Sequence, residues 1–218
     1  MPRATAQAAS HGPRDDDKRE RILAAALEAF SAQGFDGATT REIATRAGVN
    51  LGLIQYYFEG KENLWRAAVE RAFEQIRESL APVLSDPSLT DEDARTRSVI
   101  RAWVRFVATR PEFVHLMHDE GRRDSPRMRW LVDNHVRPLY DGICGMLTRA
   151  QEQGRLPADI DVVHFHYIVV GATSLIFHQG EECKRLTGVN PADEAVIEQH
   201  ATAVETLLLG PPSKETPR

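Results

Sequence analysis

The sequence predicts an all-α fold of about nine helices, and three observations predict it. Apolar residues recur at spacings of three and four along nearly the whole chain. No segment alternates apolar and polar residues with the period of a strand. Glycines, prolines and N-capping side chains fall where each apolar run begins or stops.

The first helix starts at Asp17, where Glu20 completes a capping box. Ile22, Leu23, Ala26, Leu27 and Phe30 give it one apolar face, and Gly34 ends it. A short second helix starts at Thr39 or Thr40. Thr39 and Glu42 form another capping box, and Gly48 supplies a left-handed stop. The third helix starts at the N-capping Asn50 and runs to about Tyr57. A fourth follows Gly60, buries Leu64, Ala68, Phe73, Ile76 and Leu80, and is expected to end at Pro82.

The fifth helix spans about Asp91 to Thr109, with Val99, Ile100, Trp103, Phe106 and Val107 on one face. Pro111 starts a short sixth that reaches Glu120. Ser125 and Pro126 open a long seventh, in which Pro138 should kink or split the helix. The eighth, Asp161 to about Gln179, is apolar nearly all round and must be covered on most sides, either as a central core helix or by a second subunit. The ninth is expected to begin at Asn190-Pro191 and run to Leu209. Residues 1–16 and 211–218 have no hydrophobic period and read as tails.

The composition excludes several classes. A chain of 218 residues with 42% hydrophobic and 27% charged residues is ordinary globular usage, neither collagen-like nor wholly disordered. It has no apolar run of ~18 residues and no apolar leader, so neither a membrane span nor a secretory signal is expected. The two cysteines, Cys144 and Cys183, form no C-x-x-C and fit the reducing cytoplasm. With a net charge of −5, any nucleic-acid binding has to be local. From Arg14 to Arg66 there are eight basic and nine acidic residues, so a single copy makes a modest DNA binder.

Thr40 to Tyr57 carries the chemistry. A helix-turn-helix needs apolar plugs between its helices, a small residue where they cross and a glycine at the turn. Ile43, Ala47, Val49, Ile54 and Tyr57 supply the plugs, Ala44 the small residue and Gly48 the positive φ. Asn50, Leu51, Gly52, Gln55 and Tyr56 are left to face outward. A recognition helix enters the major groove by its N-terminal end, where glutamine can pair with adenine and leucine can touch a thymine methyl. Thr40 stands at a helix N-terminus, which favours a phosphate. Lys61 starts a helix, where its cation opposes the dipole and is better matched to an external phosphate.

The stretches Arg21-Ile-Leu-Ala-Ala-Ala, Gly34-Phe35, Ala38 to Ala44, Ala47 to Asn50 and Ile54 to Leu64 resemble the TetR family of transcriptional regulators. The resemblance covers about residues 18 to 66. It divides the chain into a helix-turn-helix domain over 17–60 and a helical ligand-binding and dimerisation domain over 61–210. It implies a homodimer, joined through the helices at about 161–179 and 190–209, that binds a palindromic double-stranded DNA operator and is released by a small-molecule effector. Thr40, Tyr57 and Lys61 are then phosphate contacts, Asn50, Leu51, Gly52, Gln55 and Tyr56 the reading face, and Arg41 a further DNA-binding residue. Gln55 and Asn50 stand where many members have tyrosine and serine, so their operator preference does not transfer.

The effector-lining candidates in the helical domain are Trp103, Phe106, His115, Met117, His118, Trp130, His135, Tyr140, His166 and Phe177, a set suited to an apolar or aromatic molecule. His115 and His118 are one turn apart, but no acidic or cysteine partner stands at a metal spacing, so neither a metal nor a cofactor is expected. The alternatives are an enzyme or a helical adaptor. No G-x-S-x-G, P-loop or dinucleotide fingerprint is present to support an enzyme.

Overall fold

The computed structural model describes residues 13–211, and all regular structure among them is helical. Eleven α-helices follow in order: α1 Pro13–Gly37, α2 Thr40–Ala47, α3 Leu51–Phe58, α4 Lys61–Leu84, α5 Glu92–Thr109, α6 Pro111–Gly121, α7 Pro126–Leu131, α8 Arg137–Glu152, α9 Val162–His178, α10 Gly180–Thr187 and α11 Glu194–Leu209. A π-helical turn, Val132–Val136, joins α7 to α8. The expected tails fall at residues outside those described, apart from 13–16, which are helical, and residue 211.

The differences from the nine expected helices have local causes. Asp15 and Asp16 sit in the first turn of α1, where carboxylates complement the helix dipole, so the helix starts ahead of Asp17. Gly34 breaks α1 with φ 70° and ψ 171°, and one more helical turn follows before Gly37. Pro82 lies inside α4 rather than ending it; so near the terminus it forfeits one backbone bond and little more. The long seventh helix is three pieces. Pro138 cannot donate a backbone hydrogen bond, and the strain is taken up just before it, where Arg137 N–H reaches back five residues to Val132 O. The segment after α9 coils again as α10, closed by left-handed Gly188. Asn190 and Pro191 form a capped turn, so α11 begins at Glu194, not at Asn190.

The chain divides into two compact units, one up to Arg71 and one from Ala72, so the division falls inside α4. In the first unit Ile22, Leu23, Ala26 and Phe30 of α1 are buried together with Ile43, Ile54, Phe58, Leu64 and Trp65. These apolar positions recur every three to four residues, and their burial holds the unit together.

In the second unit α5 packs against α11 and α9, and α9 also meets α6 and α8. Arg97, Arg101 and Arg105 stand one turn apart on α5. Arg101 donates to Glu198 at 2.6 Å and Glu205 at 3.0 Å on α11, while Arg105 bonds Glu194 and Glu198. Glu205 is only 6% exposed, so its charge requires the guanidinium beside it. The opposite face of α9 is bare. Tyr167, Ile168 and Leu175 are 68%, 53% and 48% exposed, and Gly171 lies between them. The central-core reading of this helix is therefore set aside.

The hydrogen bond from Arg101, with the charge of Arg105 behind it, holds the Glu198 carboxyl below the usual glutamate range. The folded protein thus binds fewer protons here than the unfolded chain. The resulting stability is present above about pH 4.3 and is lost as pH falls through the lower folded value. Glu198→Gln should lower stability at pH 7 by about 1 kcal/mol or less, because the pair is partly exposed. It should also flatten the loss on acidification, measured by urea unfolding from pH 7 to pH 3.

Candidate nucleic-acid interface

Local capping builds this site. Thr39 is the N-cap of α2, its Oγ1 accepting from Glu42 N–H at 3.2 Å. Ile43, Ala44 and Ala47 turn inward and are buried. Gly48 follows in the left-handed region, φ 64°, ψ 39°, with its N–H on Thr45 O and the Val49 N–H on Ala44 O. Asn50 then caps α3, its Oδ1 accepting from Gly52 N–H at 2.8 Å. A Cβ on Gly52 would meet that same Oδ1 at 3.2 Å, so the glycine serves the cap as well as any close approach to DNA.

On α3, Ile54 and Phe58 are buried, whereas Leu51 is 42% and Tyr56 68% exposed. The expected plug at Tyr57 is a correction. Phe58, four residues after Ile54, takes the inward place. Tyr57 is half-buried, its ring beside those of Tyr56 and Phe58. Burial, and the charge of the Asp15 carboxylate to which its hydroxyl donates a hydrogen bond, push the Tyr57 phenol up.

An open cleft of about 750 Å³ has Thr40, Asn50, Leu51, Gly52, Gln55 and Lys61 on its walls. The N-terminus of α2 carries partial positive charge from unpaired N–H groups. Lys61 is held at the rim, its Nζ 4.7 Å from the centre of the Phe35 ring and 3.3 Å from Asp36 O. A helix terminus and a seated cation thus share one concave face beside an outward helix. Arg41 is exposed next to Thr40. Arg41, Tyr56 and Tyr57 are not among the residues lining the cleft. Gln55 Nε2 donates to Glu59 O at 3.1 Å.

Two contributors escaped the sequence reading. Phe35 seats Lys61, and Arg21 donates to the carbonyls of Ala47 and Gly48. Both appear in the family-like stretches, but neither has a local spacing that reveals its task.

The effector-lining candidates fall into separate groups. Trp103, Phe106, Trp130 and His135 are joined into one aromatic run by Phe113 and Phe73, with successive ring centres 4.9 to 5.8 Å apart. The Trp103 indole donates to buried Thr173 at 3.0 Å. His115 and His118 meet His178 instead, at 5.0 and 4.2 Å. The His118 and His178 rings stack in parallel, so their in-plane lone pairs do not converge on one metal. Burial, and the like charges of neighbouring histidines, hold both below the usual histidine range. Tyr140 and His166 pair edge-on at 4.7 Å, Phe177 faces His200, and Met117 is half-buried. Among the described residues no helix is long and apolar enough to cross a membrane.

A helical chain with an outward third helix, a left-handed turn and a lysine seated beside them is a helix-turn-helix DNA-binding protein in class. Two family models match it. "Bacterial regulatory proteins, tetR family" matches over residues 22–68, and "Tetracyclin repressor-like, C-terminal domain" over residues 93–207. The HTH-type transcriptional repressor NicS of Pseudomonas putida is 25% identical over 198 residues, covering 89% of this chain and 92% of that one. The HTH-type transcriptional repressor AcnR of Corynebacterium diphtheriae is 30% identical over 151 residues, 67% of this chain and 73% of its own. The solved structure of AibR in complex with isovaleryl coenzyme A and operator DNA shares the fold, with TM-score 0.70, 18% identity and coverage of 89% and 99%. The chain belongs to the TetR family of transcriptional regulators.

Gly48→Ala should destabilise the first unit by about 1–2 kcal/mol, since an L side chain is strained at φ 64°. A Cβ there would also press on Arg21 Nη2 at 3.1 Å. Thermal melting of the full chain checks this.

Proposed function

We propose that the protein is a non-catalytic, ligand-responsive repressor that acts in the cytoplasm as a homodimer. The α2–turn–α3 of each subunit reads half of a palindromic operator. A small apolar or aromatic effector taken up by the second unit releases the DNA.

One observation carries the reading: the α2 N-terminus, Lys61 and the outward face from Asn50 to Gln55 share a single cleft. Phosphate at the terminus and the cation fixes the register, and the outward face meets base edges. The bare stripe of α9 and the exposed Leu207 of α11 support a second copy of the chain as the missing cover. Two copies double the phosphate contacts, which a head of nearly balanced charge needs. The aromatic run from Trp103 to Trp130 supports the effector class.

Selection of duplexes from a random-sequence pool tests the reading. An inverted repeat should emerge, bound with an affinity that falls steeply with salt. If no duplex is enriched even at low salt, the proposal fails. Lys61→Ala should weaken every duplex about equally and lower the salt slope by roughly one. Gln55→Ala should relax preference at one base pair, at a cost of about 1–3 kcal/mol there. Ile168→Glu should turn a dimer into a monomer, read by sedimentation.

A further inference from the structure

We propose that Arg21 is a positioning residue for DNA reading. From α1 it clamps the carbonyls of the α2–α3 turn and so fixes the direction in which α3 presents Asn50 to Gln55. The inference rests on the reading of α3 as the DNA-facing helix given above.

The carbonyls around the turn divide between two kinds of donor. Ala44 O and Thr45 O are taken by the backbone of the turn itself, from Val49 and Gly48. Ala47 O and Gly48 O are taken by Arg21. Its Nε and Nη2 lie 3.1 and 2.5 Å from Ala47 O, and Nη2 lies 3.0 Å from Gly48 O. The C-terminal end of α2 carries partial negative charge, so a cation there is favoured over any neutral donor. The planar fork of the guanidinium reaches two acceptors with a fixed spacing, which an ammonium on a flexible stem cannot copy.

The base of the clamp is equally fixed. Ile22 and Leu23, next along α1, are almost fully buried and anchor the backbone that carries Arg21. Asp17, one turn earlier, lies 3.9 Å from Arg21 Nη1. Gly48 leaves room for the clamp, because a Cβ there would stand 3.1 Å from Nη2. The turn is left-handed at one residue only, and α3 is two turns long, so a small rotation at Gly48 moves the whole outward face. A donor arriving from another helix, 26 and 27 residues away in sequence, opposes that rotation. Nε and Nη2 are turned to protein carbonyls and Nη1 faces Asp17, so the proposal makes Arg21 a positioning residue rather than a phosphate contact.

The test uses full-length Arg21→Gln and Arg21→Lys, with Arg41→Gln for comparison. The probes are a duplex that the wild type enriches from a random pool and a scrambled duplex of equal length and composition. Amide exchange is followed over residues 47–53 without DNA, and melting of the full chain verifies folding. Arg21→Gln should speed exchange over 47–53 and weaken the enriched duplex by roughly tenfold. It should leave the scrambled duplex and the salt slope at wild-type values. Arg21→Lys should recover part of the loss, and it decides the matter if the glutamine variant does not fold. Arg41→Gln should flatten the salt slope. A flattened slope in the Arg21 variants would make Arg21 a phosphate contact and overturn the proposal. Wild-type exchange and wild-type affinity in both Arg21 variants would overturn it as well. A wild type that enriches no duplex overturns DNA reading itself, a result distinct from a normal operator complex formed by the Arg21 variants.

Discussion

Between Ala47 and Asn50 the chain reverses around one left-handed glycine, and the exposure of α3 depends on how firmly that reversal is held. Backbone bonds close the turn from within, Asn50 starts the next helix, and Arg21 ties the outer carbonyls to α1. Each contact is small by itself, on the order of 1 kcal/mol, but together they leave the turn few alternative geometries. Ile54 and Phe58 then hold α3 by one side and leave Leu51, Gln55 and Tyr56 outside.

Charge in the first unit is distributed with economy. Arg46 is turned toward Glu28 and Glu42, and Arg71 toward Glu20, so these cations serve the fold. Lys61 is also seated by protein groups, but these are an aromatic face and a carbonyl rather than a carboxylate. A chain with excess acid can thus still keep a local positive potential, which comes from one cation and a helix end.

The second unit is organised around a different constraint. The arginines of α5 hold α11 through carboxylates spaced along its length, and one of these, Glu205, is buried. A charge in that position ties the register of the two helices to the ion pairs, because sliding would leave it unpaired. On the other side α9 keeps an apolar stripe that nothing in the described chain covers.

The sequence by itself determined the helical class, the capped starts at Thr39 and Asn50 and the left-handed stop at Gly48. These are local: a cap is read by a residue three positions away, and an apolar face by a period of 3.6. The outward stretch after Asn50 was legible for the same reason. Tertiary structure decided that Phe58, not Tyr57, packs inward, because that depends on what α1 offers opposite each ring. It decided that Lys61 sits on Phe35, that Arg21 reaches the turn, and which of the aromatic side chains meet. It also decided how much of α9 stays bare. Side chains far apart in the chain carry no shared period, so only the packed fold could bring them together.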